Sequence, residues 1–298
     1  MSDFRLKVFR SVAKNLSFTK ASQELFVSQP AITKHIQELE AAYQTRLFDR
    51  QGSRISLTES GNLLLEHCER ILEDYKRLEY EMHLLHNEYT GGLKLGASTT
   101  IAQYVLPPLL ASFIGKFPQV SLSLLNGNSR EIEAALQEHR IDLGFVEGVF
   151  WLPNIRYTTF LEDELVAVVR TGSKLAVGEE ITPDELFHLP LVLRERGSGT
   201  LDVFERALQQ HNIKLSSLQV LMYLGSTESI KLFLEHTDCL GIVSVRSITR
   251  ELYSGQLRVV EIKGMPMLRD FSFAQPQGQE SGLAQVFMQF AMHNNHKL

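Results

Sequence analysis

Apolar positions in the first 45 residues recur at helical spacing. Leu6, Phe9, Val12 and Leu16 are 3, 3 and 4 residues apart, and Ile32, Ile36, Leu39 and Tyr43 are 4, 3 and 4 apart. Each set lines one face of a helix. A short helix between them carries Ala21 and Leu25 inward. Ser28 stands where a third helix needs a cap, and Pro30 falls in its first turn, where a missing N–H is harmless. The outer face of that third helix shows Gln29, Thr33, Lys34 and Gln37. The stretch from Asp49 to Arg54 then predicts a turn, and the alternation Ile55-Ser56-Leu57-Thr58 a small hairpin or wing with basic tips.

From Glu59 the spacing changes to an unbroken heptad. Leu64, Cys68, Ile71, Tyr75, Leu78, Met82, Leu85 and Tyr89 follow at 4, 3, 4, 3, 4, 3 and 4. So narrow a stripe on an acidic helix asks for a partner helix, most simply its copy in a second chain. Thr90-Gly91-Gly92 ends it. Beyond, apolar runs at 93–97, 120–125 and 142–146 alternate with helical patterns at 101–116 and 130–139. A second set follows, with strands at 164–170, 191–193, 218–223, 240–245 and 257–262 and helices at 201–210 and 227–236. The chain closes with a strand at 269–274 and a helix around 284–293. Such alternation predicts an α/β body with mainly parallel sheets in two lobes, behind an all-α, winged helix-turn-helix head. The expected domains are 1–58 (head), 59–89 (linker and dimerisation helix) and 90–298, with lobe I about 90–162 plus 266–298 and lobe II about 163–265.

Composition narrows the class. Of 298 residues, 44% are apolar and 22% charged, as in ordinary globular proteins. No run reaches the length of a membrane span and no apolar signal core opens the chain. Two cysteines exclude a disulfide framework and a four-thiolate zinc site, so a reduced, cytoplasmic setting is expected. The net charge of −5 is uneven. Residues 1–58 carry nine basic and five acidic side chains, whereas 59–89 carry three and eight. A basic head on an acidic body fits a chain that meets a polyanion at one end.

The chemistry agrees. A short helix, a tight turn through Val27-Ser28 and a second helix with an amide- and hydroxyl-rich face suit the major groove of DNA. Ser28, Gln29, Pro30, Thr33, Lys34 and Gln37 form the expected recognition surface, with Arg50 and Arg54 bracing the duplex from the wing. In the body, Ser98-Thr99-Thr100, Arg196-Gly197-Ser198-Gly199-Thr200 and Gly225-Ser226-Thr227 are hydroxyl-rich helix starts. They suit an anion, although capping alone accounts for any one of them. Enzyme motifs are missing: no P-loop, no dinucleotide fingerprint, no Gly-x-Ser-x-Gly and no His-Glu-x-x-His. No cofactor is implied. His83 and His86 read as a solvated pair, Cys68 and Cys239 as apolar fillers and Trp151 as a packing residue near the lobe boundary. The rival reading is a solute-binding module or small-molecule enzyme with an accessory helical head.

Several segments together resemble a known family. Ser17-Phe18-Thr19-Lys20-Ala21-Ser22-Gln23-Glu24-Leu25, Val27-Ser28-Gln29-Pro30-Ala31-Ile32-Thr33, Ile36-Gln37-Glu38-Leu39-Glu40, Leu47-Phe48-Asp49-Arg50 and Leu57-Thr58-Glu59-Ser60-Gly61 are similar to the winged helix-turn-helix of LysR-type transcriptional regulators. The resemblance implies a homodimer or homotetramer bound to double-stranded promoter DNA, with RNA polymerase as a partner. It also implies a periplasmic-binding-protein-like effector domain holding a small molecule between its lobes. Carried over, effector contacts fall on Ser98, Thr99, Thr100, Ser198, Thr200 and Thr227, with Phe145, Val146 and Glu147 as a hinge-side wall. The Gly-Ser-Gly-Thr turn is similar to that of family members regulating carbon fixation and sulfur assimilation, which suggests an anionic effector. Two departures stand out. Tyr43-Gln44 replaces the usual Leu-Gly at the end of the recognition helix, and Gln51-Gly52-Ser53 replaces a more arginine-rich wing turn.

Overall fold

The computed structural model describes residues 4–51, 54–86, 89–149, 151–175, 178–277 and 282–295. The chain divides into two compact units, Met1–Glu88 and Tyr89–Leu298.

In the first unit, α1 (Phe4–Asn15), α2 (Phe18–Glu24) and α3 (Gln29–Tyr43) precede a hairpin of β1 (Phe48–Gln51) and β2 (Arg54–Leu57), then α4 (Glu59–His86). The helices bury most of the faces that the spacing predicts: Leu6, Phe9 and Val12 of α1, Ala21 of α2, and Ile32, Ile36 and Leu39 of α3, with Val8 buried in addition. Leu16 and Tyr43, expected on those faces, are exposed, because α1 stops at Asn15 and Tyr43 is the last residue of α3. Ser17 caps α2, its hydroxyl accepting from the Lys20 amide at 3.2 Å. Phe48 meets the rings of Phe9 and Phe18, so the wing hairpin closes the same core.

The long helix α4 departs from the heptad expectation at its start. Cys68 is fully buried in the head's own core, its thiol donating to the Leu6 carbonyl at 3.3 Å. Leu72, outside the heptad, is buried with it, and Leu64 packs against the same cluster. The first turns of the stripe therefore serve the head rather than a partner, because α1 already covers them. Burial pushes the Cys68 thiol up to about 11, as it does Cys239, so both remain protonated fillers. Further along, Ile71, Leu78 and Met82 are exposed and Tyr75 is half-buried. The side chain of Leu85 lies outside the described ones, as do those of His83 and His86. The helix runs to His86; Tyr89, the last position of the expected heptad, already belongs to the second unit, where its ring packs on Phe117.

The second unit is an α/β body in two lobes. It runs β3 (Gly91–Ser98), α5 (Thr99–Tyr104), α6 (Leu106–Lys116), β4 (Val120–Gly127), α7 (Ser129–Gln137), β5 (Leu143–Glu147) and β6 (Ile155–Arg170). Then come β7 (Glu180–Ile181), β8 (Pro190–Arg194), α8 (Gly199–Gln210), β9 (Gln219–Leu224), α9 (Thr227–His236) and β10 (Leu240–Ser244). It closes with α10 (Thr249–Tyr253), β11 (Leu257–Ile262), β12 (Leu268–Pro276) and α11 (Leu283–Asn294).

The main sheet path is β4-β3-β5-β12-β6-β10-β8-β9. Strands β3, β4 and β5 are parallel, as are β8, β9 and β10. Two long antiparallel strands, β6 and β12, pair from Ile155 opposite Pro276 to Glu164 opposite Leu268 and join the halves. Strand β6 therefore begins at 155, not 164 as the sequence suggested, because its lobe I half pairs with β12. The helix expected over 101–116 is broken at Val105, where Pro107 and Pro108 start α6 afresh. Lobe I is centred on Phe113, Phe145, Phe273 and Phe287, and lobe II on leucines and valines of β8, α8 and β10.

Candidate functional site

Two surfaces carry the chemistry, one in each unit. In the first, the buried stripe of α3 turns its other side outward. Gln29, Pro30, Lys34 and Gln37 are exposed and Thr33 is half-buried. Ser28 occupies the cap position but its side chain makes no cap bond, which leaves the hydroxyl and the first amides of a 15-residue helix toward solvent. Thr33 donates to the Gln29 carbonyl at 3.1 Å, and Thr19 touches the Gln29 amide oxygen at 3.4 Å. Lys34 reaches Glu38 only at 4.0 Å, an exposed pair of little consequence. The face thus holds the exposed amides of Gln29 and Gln37, the first engaged among the described residues only by a long bond from Thr19, and one loosely held cation, ready for polar partners.

At the other end of α3, Gln44 adopts φ 51°, the left-handed conformation usually given to glycine. The end is tied instead by Glu40, whose carboxylate accepts from the Leu47 amide at 2.8 Å. Arg50 and Arg54 sit on the two strands of the wing hairpin, and their side chains lie outside the described ones.

In the second unit, the carboxyl ends of the parallel strands from both lobes converge, the usual ligand position in α/β folds. The structure brings Ser98, Thr99, Thr100, Glu147, Ser198 and Thr200 there, all buried. The hydroxyl of Ser98 donates to the Glu147 carboxylate. That carboxylate faces Arg269 Nη1 at 3.5 Å, and Arg269 Nε holds Asp163 at 2.7 Å. Arg269 Nη1 also donates to Thr200 Oγ1 at 3.0 Å, and Ser244 donates to Asp163 at 2.7 Å. A continuous buried network therefore runs from lobe I through the crossing strands into lobe II. Two of the hydroxyls expected to face a ligand, Ser98 and Thr200, are occupied by the protein's own charges.

Arg194, at the end of β8, has a fully buried side chain. It donates to Glu195 at 2.8 and 3.0 Å and to Thr99 Oγ1 of lobe I at 3.3 Å. Three polar atoms in this region are buried without a partner: Thr100 Oγ1, Arg194 Nη1 and Arg269 Nη2. Guanidinium nitrogens only donate, so what satisfies them must present acceptor oxygens.

Other contacts hold the lobes together. The Arg130 amide donates to the Gly197 carbonyl at 3.3 Å, and Tyr104 of lobe I donates to Glu228 of lobe II. Burial and that bond keep the Tyr104 phenol far above its ordinary range, so it remains a donor. Burial opposes the charge on Glu228, but bonds from Lys231 and Tyr104 outweigh it and hold the carboxylate below the usual range.

The two glycines of the second-lobe turn have separate tasks. Gly197 has φ 95°, which side-chain-bearing residues rarely adopt. At Gly199 a Cβ would lie 2.0 Å from the Glu147 carbonyl oxygen, so only glycine lets the start of α8 approach β5. Here Ser198 caps α8, accepting from the Thr200 amide at 3.3 Å.

Some expected residues fall elsewhere. Phe145 and Val146 are buried in the lobe I core, because β5 is covered on both faces, and neither forms a cleft wall. Helix α5 has only six residues, too short for a useful dipole at its start. Thr227 is buried in the first turn of α9, whose cap is Ser226. Arg194, Arg269 and Asp163 were missed. Their one trace in the sequence is a charge inside an otherwise apolar strand pattern, as in Leu191-Val192-Leu193-Arg194.

Among the described residues, no group of His, Cys, Asp and Glu could hold a metal ion, and no helix is long and apolar enough to cross a membrane.

Two family models match the chain. "Bacterial regulatory helix-turn-helix protein, lysR family" covers residues 4–62, and "LysR substrate binding domain" covers 86–295. The uncharacterized HTH-type transcriptional regulator YeiE of Escherichia coli is 35% identical over 87% of this chain and 85% of its own length. The RuBisCO operon transcriptional regulator of Acidithiobacillus ferrooxidans is 30% identical over 96% of this chain and 92% of its own. The CcmR regulatory domain of Synechocystis PCC6803, solved in complex with 2-PG, is 27% identical with a TM-score of 0.62. That match covers 68% of this chain and 97% of the CcmR domain.

Proposed function

The chain belongs to the LysR-type transcriptional regulators, and on that premise we propose that it binds promoter DNA through α3 and the wing, beside RNA polymerase, under control of a small anionic metabolite held between its lobes. The observation that carries the effector class is the set of buried, unpartnered donors, Thr100 Oγ1 and Arg194 Nη1; the other terminal nitrogen of Arg194 bonds Thr99, the residue before Thr100. A carboxylate or phosphate oxygen satisfies both. The 2-PG seen on the related CcmR domain is an anion of this kind.

The first test uses thermal unfolding of the full chain with 2-PG, phosphate, sulfate and pyruvate as probes. A ligand at about 100 times its Kd adds about 2.7 kcal/mol to a folded state that alone binds it. Thr100→Val should leave the unliganded protein as stable or up to about 1 kcal/mol more stable, since it deletes an unsatisfied buried hydroxyl. The same change should abolish the anion-induced shift. A shift given only by neutral apolar compounds, or one that survives Thr100→Val and Arg194→Gln, refutes the effector site while leaving the regulator intact.

For DNA, Gln29→Ala and Lys34→Ala are expected to lose about 1–3 kcal/mol of discrimination between specific and mismatched sites, because these side chains lie on the open face of α3. Arg54→Ala should weaken all sequences alike and flatten the salt dependence. Equal loss on every sequence from the α3 variants, in a competition binding assay, would remove α3 from base reading.

Self-association rests on two exposed apolar surfaces. One is the run Ile71, Leu78 and Met82 of α4, and the other is β9, an edge strand with Leu221, Met222 and Tyr223 half-exposed. Edge strands of this composition pair with other chains unless covered. One surface yields a dimer that reads a two-fold symmetric site; both together yield a tetramer.

A further inference from the structure

A cavity of about 400 Å³ borders the ribbon where β6 and β12 pass between the lobes, within the size range of small-molecule sites. None of the serine and threonine hydroxyls of the effector cleft lines it. Val149, Trp151 and Leu268 supply its apolar side, and Glu162, Asp270 and Arg206 its accessible charges.

The charges are arranged in an unusual way. Glu162 and Asp270 stand directly opposite one another in the antiparallel register, so their side chains leave the same face of the ribbon. Like charges in that position repel unless a cation lies between them. Among the described residues, no side-chain cation is paired with either carboxylate. Arg206 lines the cavity, yet neither it nor the Glu162 carboxylate has an ion pair or hydrogen bond with any described residue. Among the described residues, Asp270 receives only a long bond from Thr159 at 3.4 Å. Beside them the half-exposed indole of Trp151 is braced by the Tyr157 ring, 4.3 Å between centroids. An aromatic face next to two carboxylates suits an organic ammonium ion.

We propose that this cavity is a second ligand site, for a small zwitterion of amino-acid type. Its ammonium group lies between Glu162 and Asp270, its carboxylate meets Arg206, and its apolar side chain rests on Trp151 and Leu268. Asp163 and Arg269, the centre of the interlobe network, also border the cavity. Occupancy there acts on the same hinge as the anion in the cleft, which gives the regulator a second input.

The test is isothermal titration of the full chain with leucine, methionine and phenylalanine, their N-acetyl derivatives, and isoamylamine, which keeps the ammonium and loses the carboxylate. At least one free amino acid should bind, with its N-acetyl form weaker by about tenfold or more, the loss of a charged hydrogen-bonded contact. The double change Glu162→Gln with Asp270→Asn should weaken amino acid and amine alike by a similar factor. Arg206→Gln should weaken the amino acid and leave the amine unchanged. Arg206 is exposed, so Arg206→Gln should leave melting without ligand unchanged, whereas removing the facing carboxylates relieves their repulsion and should leave it unchanged or slightly higher. The site is refuted if no free amino acid binds at millimolar concentration, if N-acetyl forms bind equally, or if the carboxylate pair can be removed without effect. Amine binding as tight as that of leucine, or leucine binding untouched by Arg206→Gln, would overturn the zwitterion and its carboxylate contact. Failure here leaves the anion site in the cleft standing, because that site's donors are different atoms.

Discussion

Replacing Arg269 with methionine is expected to remove about 3–5 kcal/mol from the stability of the 89–298 unit, the penalty for leaving buried Glu147 without its cation and buried Asp163 with only Arg246, 3.6 Å away. The guanidinium and both acids, Glu147 and Asp163, are at most 1% exposed. Methionine fills much of the volume of arginine, so lost packing is a minor part. The charge imbalance dominates. For a unit of this size the change amounts to a fall in Tm of roughly 6–20 °C.

The single tryptophan of the chain, Trp151, lies in the second unit, so its fluorescence follows that unit without interference from the head. Adding Glu147→Gln and Asp163→Asn to Arg269→Met should restore most of the loss, because amides in a polar network cost far less than unpaired carboxylates. A single Arg269→Met variant that unfolds within about 1 kcal/mol of the parent would show that the network contributes specificity rather than stability. A triple variant no better than the single one would place the defect in packing instead.

The elements most legible in the sequence are those whose packing is local. Ile32, Ile36 and Leu39 announce the buried side of α3, and the same spacing leaves Gln29, Lys34 and Gln37 outside. The strand and helix alternation of the body was legible for a related reason: each strand is a short apolar run. Long-range partners were not legible. The heptad of α4 predicts one continuous seam, but only the fold shows that α1 already covers Cys68. The family resemblance makes Phe145, Val146 and Glu147 of β5 a hinge-side wall, yet the strand's apolar residues are inside and only Glu147, its last residue, reaches the cleft. The three hydroxyl-rich turns drew attention to an anion. What the sequence concealed is that two of their hydroxyls bind internal charges from residues 49 and 69 positions away. Arg194 and Arg269 looked like ordinary strand-end charges, since nothing in their neighbourhood along the chain declares their burial.

Gly199→Ala is expected to open the cleft, although elsewhere in a helix the same change would stabilise it by up to about 1 kcal/mol. The added Cβ would lie 2.0 Å from the Glu147 carbonyl oxygen and 2.5 Å from its carbon. Both are backbone atoms of a buried strand, which no rotamer change can move aside. Overpacking of this kind costs about 3 kcal/mol or more if the contact is kept, so steric repulsion wins over helix propensity. Relief comes from separating α8 from β5, which pulls Thr200 away from Arg269, now 3.0 Å apart, and the Arg130 amide away from Gly197. The variant should melt several degrees lower by Trp151 fluorescence and lose the anion-induced shift. DNA binding by the head should persist, since the head is a separate compact unit. Gly197→Ala gives the necessary contrast: its penalty arises from the φ of 95°, not from Glu147, so it strains the turn without wedging β5 from α8. Normal melting and a normal anion response in Gly199→Ala would mean that the two lobes do not meet at this point. The closed cleft would then have to be held by the Tyr104–Glu228 contact and the Arg194–Thr99 bond.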